Sequence, residues 1–81
     1  MNALGLKGLR ISKGKSQLYM SKCIEKSLDS YAKKERGSVF FTPKEMSVVA
    51  HELNMTFEQF NDIFLTAHCH MVIINGVISP W

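Results

Sequence analysis

The chain has 81 residues, enough for one domain and too few for two. With 46% hydrophobic and 21% charged residues it has the composition of a folded globular domain, not of a disordered one, and no apolar run approaches the ~18 residues that would cross a membrane. Its net charge of +3 hides a split: residues 1–37 carry nine of the ten Lys and Arg against three acids, a balance of +6, whereas residues 38–81 balance at −3. A basic half points to a polyanionic partner. The two cysteines, Cys23 and Cys69, are too few for a disulfide framework. The glycine-interrupted N-terminus is no signal peptide, so two free thiols and a cytoplasmic location are expected.

Residues 1–15 read as a flexible basic arm. Gly5, Gly8 and Gly14 loosen it, and Lys7, Arg10, Lys13 and Lys15 charge it without a single acid. Residues 16–81 form the folded domain. One long helix is expected from near Ser16 to Arg36, with Met20, Cys23, Ile24, Ser27, Leu28 and Tyr31 at three-and-four spacing on its buried face. Gly37 stops it. Ser38-Val39-Phe40-Phe41 is rich in β-formers and reads as a short strand.

Thr42-Pro43-Lys44-Glu45 is a capping box with proline at the first helical position, and Phe41 and Met46 are placed as a hydrophobic staple. The helix it opens turns Met46, Val49, Ala50 and Leu53 inward. Thr56-Phe57-Glu58-Gln59 repeats the device with Met55 and Phe60 as the staple. The helix it opens is expected to bury Phe57, Phe60, Ile63, Phe64 and Ala67. Three residues, Asn54-Met55-Thr56, join the two helices. That is the spacing of a helix-turn-helix, and equally of an ordinary αα corner. Met71-Val72-Ile73-Ile74, then Asn75-Gly76, then Val77-Ile78-Ser79 is a β-hairpin around a type I′ turn, with Ile74 opposite Val77 and Ile73 opposite Ile78. The fold class is therefore α+β, three helices and a small antiparallel sheet made by Val39–Phe41 and the hairpin.

The order helix, strand, helix, tight turn, helix, hairpin resembles the winged helix-turn-helix superfamily over residues 16–81. The resemblance implies a small DNA-binding protein, a transcriptional regulator of the kind bacteria, phages or plasmids carry. Its recognition helix would be Thr56–His68 and its wing Met71–Trp81. Duplex DNA would then be met by Lys7, Arg10, Lys13, Lys15 and Lys44 at phosphates and by Thr56, Gln59 and Asn61 at the base edges. That recognition helix departs from the pattern, because it holds Glu58 and Asp62 and no Lys or Arg. A second reading follows: a protein-binding module, an inhibitor or adaptor, that docks through the hairpin or the acidic third helix.

Both faces of the hairpin are apolar, and Ile73, Ile78 and Trp81 are the candidates for a homodimer interface. His68, Cys69 and His70 lack the spacing of a zinc site. No nucleophile elbow, glycine-rich phosphate loop or acid–base pair occurs, so neither an enzyme nor a cofactor is expected.

Overall fold

The computed structural model describes residues 1–65, together with the backbone of residues 71–74 and 77–80. Residues 1–65 form five α-helices: α1 (Ala3–Ser12), α2 (Gln17–Cys23), α3 (Leu28–Glu35), α4 (Pro43–Glu52) and α5 (Phe57–Phe60), the last continuing into a π-helical turn at Asn61–Leu65. Every helix opens in the same way. The side-chain oxygen of the residue before it accepts a hydrogen bond from the amide three positions on: Asn2 from Gly5, Ser16 from Tyr19, Ser27 from Ser30, Thr42 from Glu45, Thr56 from Gln59. The capping boxes at Thr42 and Thr56 are both complete.

The first four helices also close in the same way. The residue after each C-cap has positive φ: Gly14 at 71°, Glu25 at 58°, Gly37 at 88° and Asn54 at 49°. The amide after it donates back to a carbonyl five residues upstream: Lys15 to Arg10, Lys26 to Ser21, Ser38 to Lys33 and Met55 to Ala50. This closure satisfies carbonyls the helix leaves without partners and turns the chain sharply.

The expected α+β class is overturned. The domain is helical, and no strand occurs among residues 1–65. Val39–Phe41 is irregular chain between α3 and α4. Its β-propensity is overridden because Phe41 enters the core as the staple residue before α4 while Phe40 stays 88% exposed. Strands β1 (Met71–Ile74) and β2 (Val77–Pro80) pair antiparallel, with Ile73 opposite Ile78 and Ile74 opposite Val77. The register is the anticipated one, but the sheet holds these two strands alone, without the third expected from Val39–Phe41. Asn75-Gly76, Ala67, His68, Cys69, His70 and Trp81 lie outside the described residues.

Three further expectations are corrected. Residues 1–15 are not a flexible arm but largely helix α1, whose Leu6 is fully buried and whose Asn2 amide donates to the Ile63 carbonyl at 2.7 Å. The single helix from Ser16 to Arg36 is two, α2 and α3, broken at Ile24–Ser27. Ser27 and Leu28, assigned to its buried face, are exposed because Ser27 is an N-cap. Phe57, expected inside, is 80% exposed.

The core draws on all the helices: Leu6, Met20, Ile24, Tyr31, Phe41, Val49, Leu53, Ile63 and Phe64. Edge-on aromatic contacts run from Tyr31 to Phe41 (6.0 Å between ring centres) and on to Phe64 (5.7 Å). Two buried ion pairs cross it. The Arg10 guanidinium on α1 meets both carboxylate oxygens of Glu35 on α3, at 3.1 and 3.0 Å, and Lys34 on α3 meets Glu45 on α4. Together they hold α3 between its neighbours through charges that must stay paired, since a buried partnerless charge is costly.

Candidate nucleic-acid interface

Among the described residues three helix pairs turn through a short connection: α1 and α2, at residues 13–16, and two more that bear on a helix-turn-helix reading. One is the anticipated pair, α4 and α5 joined at Asn54-Met55-Thr56. The other is α2 and α3, joined by Ile24, Glu25, Lys26 and Ser27. Both have the short connection of a helix-turn-helix, which is also that of an ordinary αα corner. What they present is opposite in character.

The inward side of α3 is fixed by Tyr31, Lys34 and Glu35, all buried. Its outward side carries Leu28, Asp29, Lys33 and Arg36, all exposed. Lys33 and Asp29, one turn apart, form an exposed ion pair at 3.0 Å. Lys22 and Lys26, at the end of α2 and in the turn, are also exposed. Two depressions flank the corner. One, of 260 Å³, brings Lys26 beside Thr42 and Lys44 at the start of α4, with Cys23 and Glu25 in its wall. The other, of 320 Å³, brings Lys7 of α1 together with Gln17 and Arg36. The first set lies between the α2–α3 turn and α4, the second between α1, α2 and α3.

The outward side of α5 is apolar and acidic. Phe57, Glu58 and Asp62 are exposed there. Thr56 and Gln59, taken as base-reading residues, are the two halves of a capping box. The Thr56 hydroxyl accepts from the Gln59 amide at 3.1 Å, and the Gln59 side-chain oxygen accepts from the Thr56 amide at 3.0 Å. Gln59 also borders the open groove between α1 and α5, and Asn61 is half-buried in the π-helical turn.

The cations of the supposed arm divide. Lys7 and Lys13 are exposed on and just after α1. Lys15 is half-buried with its ammonium 4.8 Å from the centre of the Tyr19 ring, a cation–π contact. Arg10 is withdrawn altogether: buried, paired with Glu35, and donating to the Lys15 carbonyl at 2.8 Å. In this fold it has no reach to a phosphate. Ile73 and Ile78 lie in β1 and β2, and Trp81 falls outside the described residues.

Electrostatics around the corner follow from these contacts. Burial raises the Glu45 carboxyl, but the Lys34 hydrogen bond and the Thr42 amide outweigh it and hold the group below its ordinary range. Tyr31 is pushed well above the usual tyrosine range, first by burial and then by the Glu35 charge. Its hydroxyl is buried and makes no hydrogen bond of good geometry among the described residues. Tyr19 rises to about 12 because its hydroxyl donates to Glu52 at 2.8 Å, a tie from α2 to α4.

Sequence reasoning missed α3 as an outward-facing helix because a continuous three-and-four pattern ran through its N-cap. The signal was Ser27 followed by Asp29, a cap and a first-turn acid. No described helix is long and apolar enough to cross a membrane. Neither a family model, a curated protein nor a solved structure matches the chain.

Proposed function

We propose that this chain binds duplex DNA through the α2–α3 corner, with α3 laid into the major groove, and acts as a regulator that reads sequence. One observation carries the reading. Six of the seven exposed Lys and Arg side chains among the described residues, Lys7, Lys22, Lys26, Lys33, Arg36 and Lys44, are on or beside α2 and α3, whereas the outward face of α5 carries Glu58 and no cation. Phosphate neutralisation supplies most of the sequence-independent affinity for DNA, so the helix ringed by cations is the one a duplex tolerates. The first residues of the second helix reach base edges in this arrangement, which gives Leu28 and Asp29 that position. Arg10, Thr56 and Gln59 serve the fold in this reading.

The test is a polarisation titration with random duplex DNA at several salt concentrations. Each phosphate contact contributes roughly 0.9 to the slope of log affinity against log salt. Lys26→Gln with Lys44→Gln is expected to flatten the slope by up to about 2, and Gln59→Ala to leave it unchanged. Absence of salt-dependent binding by the wild-type protein at low ionic strength overturns the proposal.

A second reading has its own observation. Phe40 and Phe57 are 88% and 80% exposed, and exposed aromatics are the anchors of protein interfaces. If DNA does not bind, a protein partner at these rings is the reading that remains.

A further inference from the structure

The outward face of α3 carries information about which base pairs it fits. Asp29 and Lys33 are the two charged groups on its first and second turns. Their side chains are 75% and 47% exposed, and they hold each other at 3.0 Å. Their charged ends, 3.0 Å apart, lie within one base-pair step of about 3.4 Å, so both can meet the same or neighbouring base pairs.

In the major groove a carboxylate finds its best partner in the N4 amino group of cytosine, and an ammonium in O6 and N7 of guanine. Thymine offers an acceptor and a methyl group, and adenine sets its N6 amino donor between the N7 and thymine O4 acceptors, so an A·T pair serves a carboxylate less well than cytosine N4 does. A carboxylate that enters the groove without a donor is left facing acceptors and phosphates, which costs affinity. Asp29 therefore acts as a filter, tolerated where a cytosine amino group meets it and penalised elsewhere. Lys33 holds the carboxylate in position while the protein is free, and on binding has a guanine acceptor within the same step. Among the described residues Asp29 and Lys33 pair only with each other, and their pair is exposed, whereas Lys34 and Glu35 beside them are in buried pairs.

Resting on the α3 reading above, we infer that the domain selects sites with a G·C pair opposite the start of α3, with Asp29 as the residue that specifies cytosine. The experiment is selection from a randomised duplex pool by the whole chain, followed by titration of the selected duplex and of single-base-pair variants. Enrichment of a G·C pair is expected, together with about a tenfold loss when that pair is changed to A·T. Asp29→Ala is expected to lose most of that discrimination, keeping only the part that Lys33 supplies toward guanine. Lys33→Ala is expected to weaken the preference for guanine.

Three results overturn the inference while leaving DNA binding intact: enrichment of A·T, no enrichment, or a preference unchanged in Asp29→Ala. A uniform rise in affinity for all duplexes on Asp29→Ala also overturns it, because the carboxylate would then act only as a repulsive charge. Failure of the wild-type chain to bind any duplex at low salt is a different outcome, and removes the α3 reading itself.

Discussion

The α2–α3 and α4–α5 corners are built with one chemistry and held by another. Both leave the first helix through a non-glycine residue at positive φ, Glu25 in one and Asn54 in the other, and enter the second through a hydroxyl N-cap, Ser27 or Thr56. The first corner is pinned by charge. Glu35 and Lys34 are buried against Arg10 and Glu45, and the outer face is left polar and cationic. The second is pinned by apolar packing through Leu53, Ile63 and Phe64, with Met55 and Phe60 against them, and its outer face is acidic. Local capping thus sets where helices begin and end, while the residues between the caps decide whether a corner is a surface for a polyanion or a prop for the core.

The largest expected effect separates the two modes. Arg10→Ala leaves Glu35 buried without its partner and should cost roughly 3–5 kcal/mol, most of the stability of so small a domain. Leu53→Ala, which removes a fully buried side chain from the other corner, should cost about 2–5 kcal/mol through lost transfer energy and a cavity. Urea unfolding of both variants checks this. An Arg10→Ala midpoint equal to wild type would mean that α3 is held by packing alone, and the contrast between the corners would collapse.

pH sharpens the same contrast. The carboxyl of Glu45 titrates below its ordinary value of 4.5 in the folded chain. Its pair with Lys34 therefore contributes fully above that value, and the contribution is lost as pH falls through the lower folded one. Acid should loosen the charge-pinned corner first. The double variant Lys34→Met, Glu45→Gln removes the pair while Gln keeps the reach back to the Thr42 amide. It should fold, since replacing both members of a buried pair is often neutral or better, and should lose part of the acid limb of a stability–pH curve. An unchanged acid limb would place the acid sensitivity elsewhere.

Legibility in the sequence followed the same division. The capping boxes at Thr42 and Thr56 could be read from four residues each, because their donors and acceptors are all local. The staple at Phe41 and the stop at Gly37 were legible for the same reason. The split at Ile24–Ser27 was not, because Met20, Ile24 and Tyr31 keep helical spacing across it, so periodicity ran on where the chain turns. Helix α1 was hidden by Gly5 and Gly8, which lower helix propensity, while Leu6 and the Arg10–Glu35 pair, both tertiary, outweigh that cost. Charge arithmetic located the basic half correctly but could not tell that Arg10 and Lys34 are spent inside the fold. The proposed site is α3 and not α5 for that reason: which cations face solvent is a property of packing, whereas the lack of Lys and Arg on α5 is already visible in the sequence.

The smallest expected effect tests the turn itself. Glu25 sits at φ 58° and Asn54 at 49°, a conformation that costs a residue with a Cβ about 1–2 kcal/mol and that Asn tolerates better than Glu. Glu25→Gly removes that strain but gives the unfolded chain more freedom to lose, worth roughly 0.5–1 kcal/mol in the other direction. The balance favours the variant by up to about 1 kcal/mol, whereas Asn54→Gly should be close to neutral. Glu25 also lies in the depression beside Lys26 and Lys44, so losing its charge has a second consequence. Glu25→Gln keeps the strained backbone and removes only the carboxylate. It should leave the unfolding midpoint where it is and strengthen binding to every duplex alike, while Glu25→Gly should move both. If Glu25→Gln gains no affinity while Lys26→Gln loses it, the carboxylate stands away from the DNA, and the duplex approaches α3 from the side of Lys7 and Arg36 instead.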